Sequence, residues 1–152
     1  MKFYSIQKIV SGGQTGADRA ALDWAIEHGI PHGGWCPQGR KAEDGPLPGR
    51  YLLQETPTAD YAERTEWNVR DSDATVIFTE FPQLTAGSLL TAQVAAKHWK
   101  PWTHLPWGGD SLARFQRFLE FRKPLVLNVA GSRKSLAPNI EKWVLQALDS
   151  IL

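Results

Sequence analysis

One cysteine among 152 residues excludes an internal disulfide framework and leaves no second thiolate for a cysteine-based zinc site. A reducing, cytoplasmic home is expected. Charge of one sign is missing too: 17 Lys and Arg stand against 16 Asp and Glu, a formal net charge of +1. That excludes the basic excess on which broad nucleic-acid binding depends. No run approaches the roughly 20 consecutive apolar residues of a membrane span. The stretch Met1 to Gln7 has no secretory-type apolar run, and mean hydropathy is −0.34. A soluble protein without a membrane partner is expected. His28, His32, His98 and His104 show no metal-ligand spacing, so no metal is assigned. No Gly-x-Ser-x-Gly elbow is present, and no Ser, His and Asp grouping emerges from spacing.

What is present is a core: 42% of the residues are hydrophobic, enough for one domain spanning residues 1–152 and too little for two. Ile6 to Val10 is a β-branched run ending in Ser11-Gly12-Gly13, a buried strand entering a tight turn. Ala17, Ala21, Trp24 and Ala25 then make the stripe of a helix that Gly29 closes. Pro31 to Pro57 is rich in Pro and Gly, with short strands expected at about His32 to Cys36 and Tyr51 to Gln54. A loop of that length in a small domain is commonly functional. Asp60 to Arg70 reads as a helix, Ala74 to Thr79 as a fully buried strand, and Gly87 to His98 as a helix. Pro101 to Leu105 reads as a strand, Ser111 to Arg122 as a helix and Leu125 to Val129 as a strand. Ile140, Trp143, Val144, Ala147, Leu148 and Ile151 follow helical periodicity. Alternation of this kind predicts a Rossmann-like three-layer αβα sandwich with a mostly parallel sheet of about five strands.

In such a sheet ligands bind beyond the carboxyl ends of the strands. Three loops there combine glycine, hydroxyls and free N–H groups near a helix start: Ser11-Gly12-Gly13-Gln14-Thr15-Gly16, Thr85-Ala86-Gly87-Ser88, and Ala130-Gly131-Ser132-Arg133-Lys134-Ser135. That is the chemistry of oxyanion binding. The first lacks the Lys of a P-loop, and no acidic residue ends the second strand to hold a ribose, so neither a Walker A nor a conventional NAD site fits. Its glycines also suit a bare strand-to-helix turn. Arg64, Asn68 and Asp71 share one helix face, either as a fork of donors into the crevice or as a solvated edge. Arg133, directly after a buried strand, is favoured as an anion contact. Arg40 and Lys41, near Glu43 and Asp44, either close over a ligand or keep their loop solvated. Trp35, Trp102 and Trp107 stand at loops or strand ends, suited to ring stacking or to packing.

Taken in order, the motifs resemble the molybdenum cofactor carrier protein family. They are Ser11-Gly-Gly-Gln-Thr-Gly-Ala-Asp-Arg-Ala-Ala-Leu-Asp-Trp24, Gly34-Trp-Cys-Pro-Gln-Gly-Arg40 with Glu43-Asp44-Gly45, and Glu55-Thr56 with Tyr61. Arg64-Thr65-x-x-Asn68-Val69-x-Asp71-Ser-Asp73, Gly87-Ser88-x-x-Thr91 and Asn128-Val-Ala-Gly131-x-Arg133 complete the set. The resemblance runs from about Lys8 to Leu148. It implies membership of a Rossmann-like nucleotide-binding group that includes the lonely-guy-type phosphoribohydrolases. Those hydrolases carry Pro-Gly-Gly-x-Gly-Thr-x-x-Glu after the central strand. Here Leu84 to Ala92 has neither that Glu nor one of the glycines, and Ser132 stands where Pro is the family's residue.

The resemblance implies a non-catalytic carrier of molybdenum cofactor (molybdopterin) or another phosphorylated, nucleotide-like ligand. The residues expected to hold it are Gly12, Gly13, Gln14, Thr15, Gly16, Arg64, Asn68, Gly87, Ser88, Gly131 and Arg133. A homo-oligomer, dimer or tetramer, and molybdoenzymes as acceptors are the expected partners. The alternative is a nucleotide-processing enzyme using the same crevice, with Asp18, Glu43 or Asp44 as acid or base.

Overall fold

Ile9 and Val10, β-branched and fully or almost fully buried, form the inner end of a first strand, β1 (Lys8–Val10), in a computed structural model that describes residues 4–152. The first three residues of the stretch Met1 to Gln7 lie outside the described residues. The chain continues through α1 (Ala17–Glu27), β2 (His32–Gly33), β3 (Trp35–Cys36), β4 (Gln54–Glu55) and α2 (Tyr61–Arg70). Then come β5 (Ala74–Thr79), α3 (Ala86–Lys97), β6 (Trp102–Pro106), α4 (Ser111–Arg122), β7 (Val126–Gly131) and α5 (Ile140–Asp149). Five strands form one sheet in the order β2-β1-β7-β5-β6, every pairing parallel. This is the Rossmann-like α/β architecture that the alternating pattern predicts.

The strand β5, Ala-Thr-Val-Ile-Phe-Thr, is buried at every position, as a strand covered on both faces must be. Its side chains alternate between the two helical layers. On one face Val76 and Phe78 join the main apolar cluster with Trp24, Phe115, Leu119 and Trp143, contributed by α1, α4 and α5. Phe78 meets Phe115 and Trp143 edge-on at ring-centroid distances of 5.7 and 5.5 Å, a favourable arrangement of ring quadrupoles. The Trp143 indole N–H satisfies itself on the Leu105 carbonyl at 2.8 Å. On the other face α2 packs against α3. The Asp60 carboxylate caps α2 by accepting from the Ala62 N–H at 2.9 Å, a contribution of roughly 1 kcal/mol. Helices after β5 and β7 thus leave the sheet on opposite sides, which opens a crevice between those neighbouring strands at their carboxyl ends.

Two expected elements are corrected. The strand anticipated at about Tyr51 to Gln54 is β4 at Gln54–Glu55, with Tyr51 and Leu53 packed into an apolar cluster ahead of it. The strand anticipated over His32 to Cys36 is two short strands in different sheets: β2 pairs with β1, and β3 pairs in parallel with β4. Gly34 divides them at φ 122°, a conformation open to glycine at little cost. A Cβ there would sit 2.8 Å from Asn68 Oδ1 and 3.0 Å from the Ser11 nitrogen. Between β3 and β4 the loop is built, with its own apolar cluster of Cys36, Leu47, Tyr51 and Leu53 against Leu22. Arg40 ties it together, donating to the carbonyls of Leu47, Pro48 and Tyr51 at 3.2, 2.9 and 2.8 Å.

Candidate functional site

The loops following β1, β5 and β7 meet at one edge of the sheet. The Ala17 N–H, opening α1, donates to the Ser132 carbonyl at 3.1 Å, and the Ser132 N–H donates to the Phe78 carbonyl at 3.0 Å. Gly16, at φ 86°, makes the first of these approaches: a Cβ there would run into the backbone of Ser132 to Lys134. The space that remains between these loops and α2 and α3 is a cavity of about 350 Å³, within the range of roughly 300 to 1,000 Å³ usual for small-molecule sites.

Its wall brings together Gly12, Gln14, Arg64, Asn68, Gly87, Ser88, Gly131 and Arg133, residues from four separate segments of the chain. Gly13, Thr15 and Gly16 shape the first loop from outside the wall. Gly13 lies against Leu47 and Leu53. The Thr15 hydroxyl bonds the Glu43 carboxylate and accepts from the Lys134 N–H. Asp18, Thr79, Phe81, Asn128 and Leu136 also line the cavity. Thr79 is the last residue of β5, and its hydroxyl lies 2.6 Å from His104 Nε2 and donates to the Phe81 carbonyl at 2.7 Å. Phe81 and Leu136, each 58% exposed, make the rim apolar.

The polar groups divide into committed and uncommitted ones. Asn68 is committed: its Oδ1 accepts from the Trp35 N–H at 2.8 Å and its Nδ2 donates to the Trp35 carbonyl at 2.9 Å. It clips β3 to α2. Ser88 is committed as well, donating to the Thr85 carbonyl and accepting from the Thr85 N–H at the start of α3. Just there Ala86 holds φ 47°, a left-handed conformation that costs a non-glycine residue of the order of 1 kcal/mol. Arg133 differs: half-buried, its guanidinium makes no hydrogen bond or ion pair with the described residues and lies 5.6 Å from the centre of the Tyr61 ring.

Gln14 is uncommitted on one side only. Its Oε1 accepts from the Thr15 N–H at 3.0 Å and from the Glu43 N–H at 2.8 Å, which fixes the amide, since a flip would set NH2 against two donors. The Nε2 is buried and without a hydrogen-bond partner among the described residues. Such a group costs about 1 to 3 kcal/mol unless something accepts from it.

Asp18 and Arg64 form a buried ion pair at 3.5 Å between Nη1 and Oδ2, their side chains 11% and 10% exposed for Arg64 and Asp18 respectively. Arg64 Nη1 also donates to the Gly12 carbonyl at 3.0 Å. The Asp18 carboxylate lies inside the glycine loop, accepting from the Gln14 N–H at 3.3 Å and facing the Gly12 N–H. Burial pushes the Asp18 carboxyl above its ordinary range, against the opposing pull of Arg64 and the loop N–H groups. Burial likewise lowers the Arg64 guanidinium.

The other charged candidates are not in the cavity wall. Glu43 binds Thr15 and the Ser135 N–H. Asp44 pairs with Arg19 at 2.5 Å. Arg40 is spent on loop carbonyls, and Lys41 reaches the Ala59 carbonyl at 3.4 Å. Trp35, Trp102 and Trp107 are not in the wall either; Trp35 packs edge-on against Trp67 and donates to Asp71.

A comparison with protein families matches residues 9–152 to the circularly permutated YpsA SLOG family. The chain belongs to that family. Among solved structures, a protein from Syntrophus aciditrophicus SB described as a "putative molybdenum carrier protein" superimposes with a TM-score of 0.94. It is 45% identical, over 98% of this chain and 96% of its own. The resemblance read from the motifs therefore holds across the whole SLOG-family fold. No curated protein matches the chain. Among the described residues no helix is long and apolar enough to cross a membrane, and no cluster of His, Cys, Asp or Glu could hold a metal ion.

Proposed function

We propose that this chain is a non-catalytic carrier or binding protein for molybdenum cofactor, or for a related phosphorylated pterin or nucleotide, acting as one binding domain. The observation that carries the reading is the half-buried Arg133 guanidinium in the cavity wall, which makes no hydrogen bond or ion pair with the described residues. It calls for oxygen acceptors, which a phosphate and an oxidised molybdenum centre carry in abundance. Gly12, Gly87, Ser88, Gly131, Arg64 and Asn68 complete the enclosure, while Gly13, Thr15 and Gly16 hold the first loop in shape. The name of the structural neighbour points the same way.

Titration calorimetry with neopterin monophosphate and with inorganic phosphate tests the proposal. Arg133→Ala is expected to weaken neopterin monophosphate about 10- to 100-fold, the loss of a charge-assisted hydrogen bond worth about 1.5 to 3 kcal/mol. Failure of the wild type to bind either probe overturns it. Native mass spectrometry of protein from its own cells, with fluorescence of the extracted pterin, identifies the cargo and whether molybdenum travels with it.

Self-association and delivery to molybdoenzymes belong to the same proposal. The rim residues Phe81 and Leu136 and the outer residue Leu89 of α3 are exposed apolar groups, suited to a second copy or an acceptor. Light scattering with and without neopterin monophosphate reads the oligomer.

The nucleotide-processing alternative rests on Asp18, the one of Asp18, Glu43 and Asp44 that lines the cavity. Release of free base or phosphate from nucleoside monophosphates would replace the carrier reading with it.

A further inference from the structure

The middle strand of the sheet carries a polar side chain that the fold does not fully use. On β7 the flanking residues Leu127 and Val129 belong to the main apolar cluster, so alternation along the strand turns Asn128 to the opposite face, toward α2 and α3. There it lines the cavity, in a residue only 3% exposed. Its Nδ2 donates to the hydroxyl of Thr75, its partner across the ladder between β5 and β7, at 3.2 Å. Its Oδ1 accepts from none of the described residues. Nor is that oxygen sealed off: among the described residues, Gln14 Nε2 and Arg19 Nε are the buried side-chain polar atoms that are both closed to solvent and without a partner. In a side chain so deeply set, an open atom opens onto the cavity that the residue lines.

Thr91 adds a second acceptor to the same wall. Its hydroxyl spends its proton on the Gly87 carbonyl at 2.9 Å, so toward a ligand it offers lone pairs alone. The two ends of the cavity thus differ in kind. Arg133, just past the end of β7, offers protons; Asn128 stands three residues before the last residue of that strand, about 10 Å deeper at the rise of a β-strand, and presents a carbonyl oxygen.

We propose that Asn128 Oδ1 accepts a hydrogen bond from the exocyclic amine of a heterocyclic ring whose anionic group is held by Arg133, so that this residue selects amine-bearing ligands. The inference rests on the phosphorylated-ligand reading above and adds the residue that chooses the ring and the direction in which the ligand enters. Selection follows from burial: a ring without the amine displaces water from the carbonyl and leaves it unpaired, a loss that polar recognition turns into discrimination.

Two matched pairs of nucleotides test it by calorimetry on the wild-type protein, alongside inorganic phosphate. Guanosine and inosine monophosphate differ by one exocyclic amine, as do adenosine monophosphate and purine riboside monophosphate. In at least one pair the amine-bearing member is expected to bind about tenfold or more tighter. Neopterin monophosphate carries such an amine on a pterin, and tighter binding than any of the purines assigns the amine to that ring. In Asn128→Leu, checked for folding by circular dichroism, the two members of the discriminating pair come to the same affinity. Heteronuclear NMR of the wild type keeps the assignment testable where that variant does not fold: the Asn128 side-chain amide resonance is expected to move with the amine-bearing nucleotide and not with inorganic phosphate. Equal affinities within both pairs overturn the assignment and leave the phosphate reading intact. A preference that survives in a folded Asn128→Leu, or an Asn128 amide that moves no more with the nucleotide than with inorganic phosphate, does the same. If neither inorganic phosphate nor any of the five ligands binds, both readings fall together.

Discussion

Arg64 Nη1 lies 3.5 Å from Asp18 Oδ2, and the two side chains shield each other from water in the wall of the cavity. Neither charge is well placed alone. Asp18→Ala would leave a buried guanidinium uncompensated and is expected to cost about 3 to 5 kcal/mol. Replacing both partners, as Asp18→Leu with Arg64→Met, should recover most of that. Urea denaturation of the two single variants and the double variant measures it; a double variant no more stable than Asp18→Ala would show that the pair is not the unit of stability.

The pH dependence has a definite sign. Burial raises the folded-state pKa of Asp18 above its ordinary value, so the folded chain holds that proton more tightly than the unfolded one. The resulting stability is fully present below the ordinary carboxylate range and is lost as pH rises through the folded value. Glu43, Asp44 and Asp71, lowered by their partners, act in the opposite sense but are common to wild type and Asp18→Asn. The stability difference between those two proteins should therefore fall as pH climbs from about 4 and then level off. A difference that rises with pH contradicts the burial argument.

Asn68 clips both polar groups of the Trp35 backbone. Asn68→Ala leaves that N–H and carbonyl unpaired, an expected loss of about 1 to 3 kcal/mol for each group that stays dry. Faster hydrogen exchange at the Trp35 amide would locate the effect at β3. Asn68→Asp keeps the acceptor and should protect that amide better than Asn68→Ala does.

Gly12 is small because Arg64 crosses it: a Cβ there would come within 2.8 Å of the guanidinium carbon. Gly12→Ala should therefore displace Arg64 with little change in the backbone, weakening neopterin monophosphate by about tenfold or more. An alanine variant with wild-type affinity would mean that Arg64 can shift without consequence.

How much of this was legible in the sequence depends on whether a pattern existed to be read. β5 and α5 announce themselves, the first as an unbroken apolar run and the second as a stripe of Ile140, Trp143, Val144, Ala147 and Leu148. Asp60 marks the start of α2 because a capping carboxylate is a local signal. β2 and β3 are two residues each, too short for any period, so nothing before Gly34 revealed that the chain changes sheets there. Asn68 looked like a donor for the crevice because its true partner is a backbone, which has no residue type to pair with. Phe81 and Leu136 are single apolar residues in polar loops and carry no signal of a rim. The convergence of three distant loops was expected from strand order alone; the carboxylate placed among the N–H groups of one of them was not, since a side chain four residues on from Gln14 turns back only once α1 has formed.

The middle of the sheet is β7, the last strand to be made, with β1 hydrogen-bonded on one side and β5 on the other. During synthesis the earlier strands wait as two separate edges for a central partner still to leave the ribosome. The sheet cannot close, and no ligand can be gripped, until the final quarter of the chain has arrived. Truncation behind β6 should thus yield not a weaker binder but a chain with two unsatisfied edges and a tendency to aggregate.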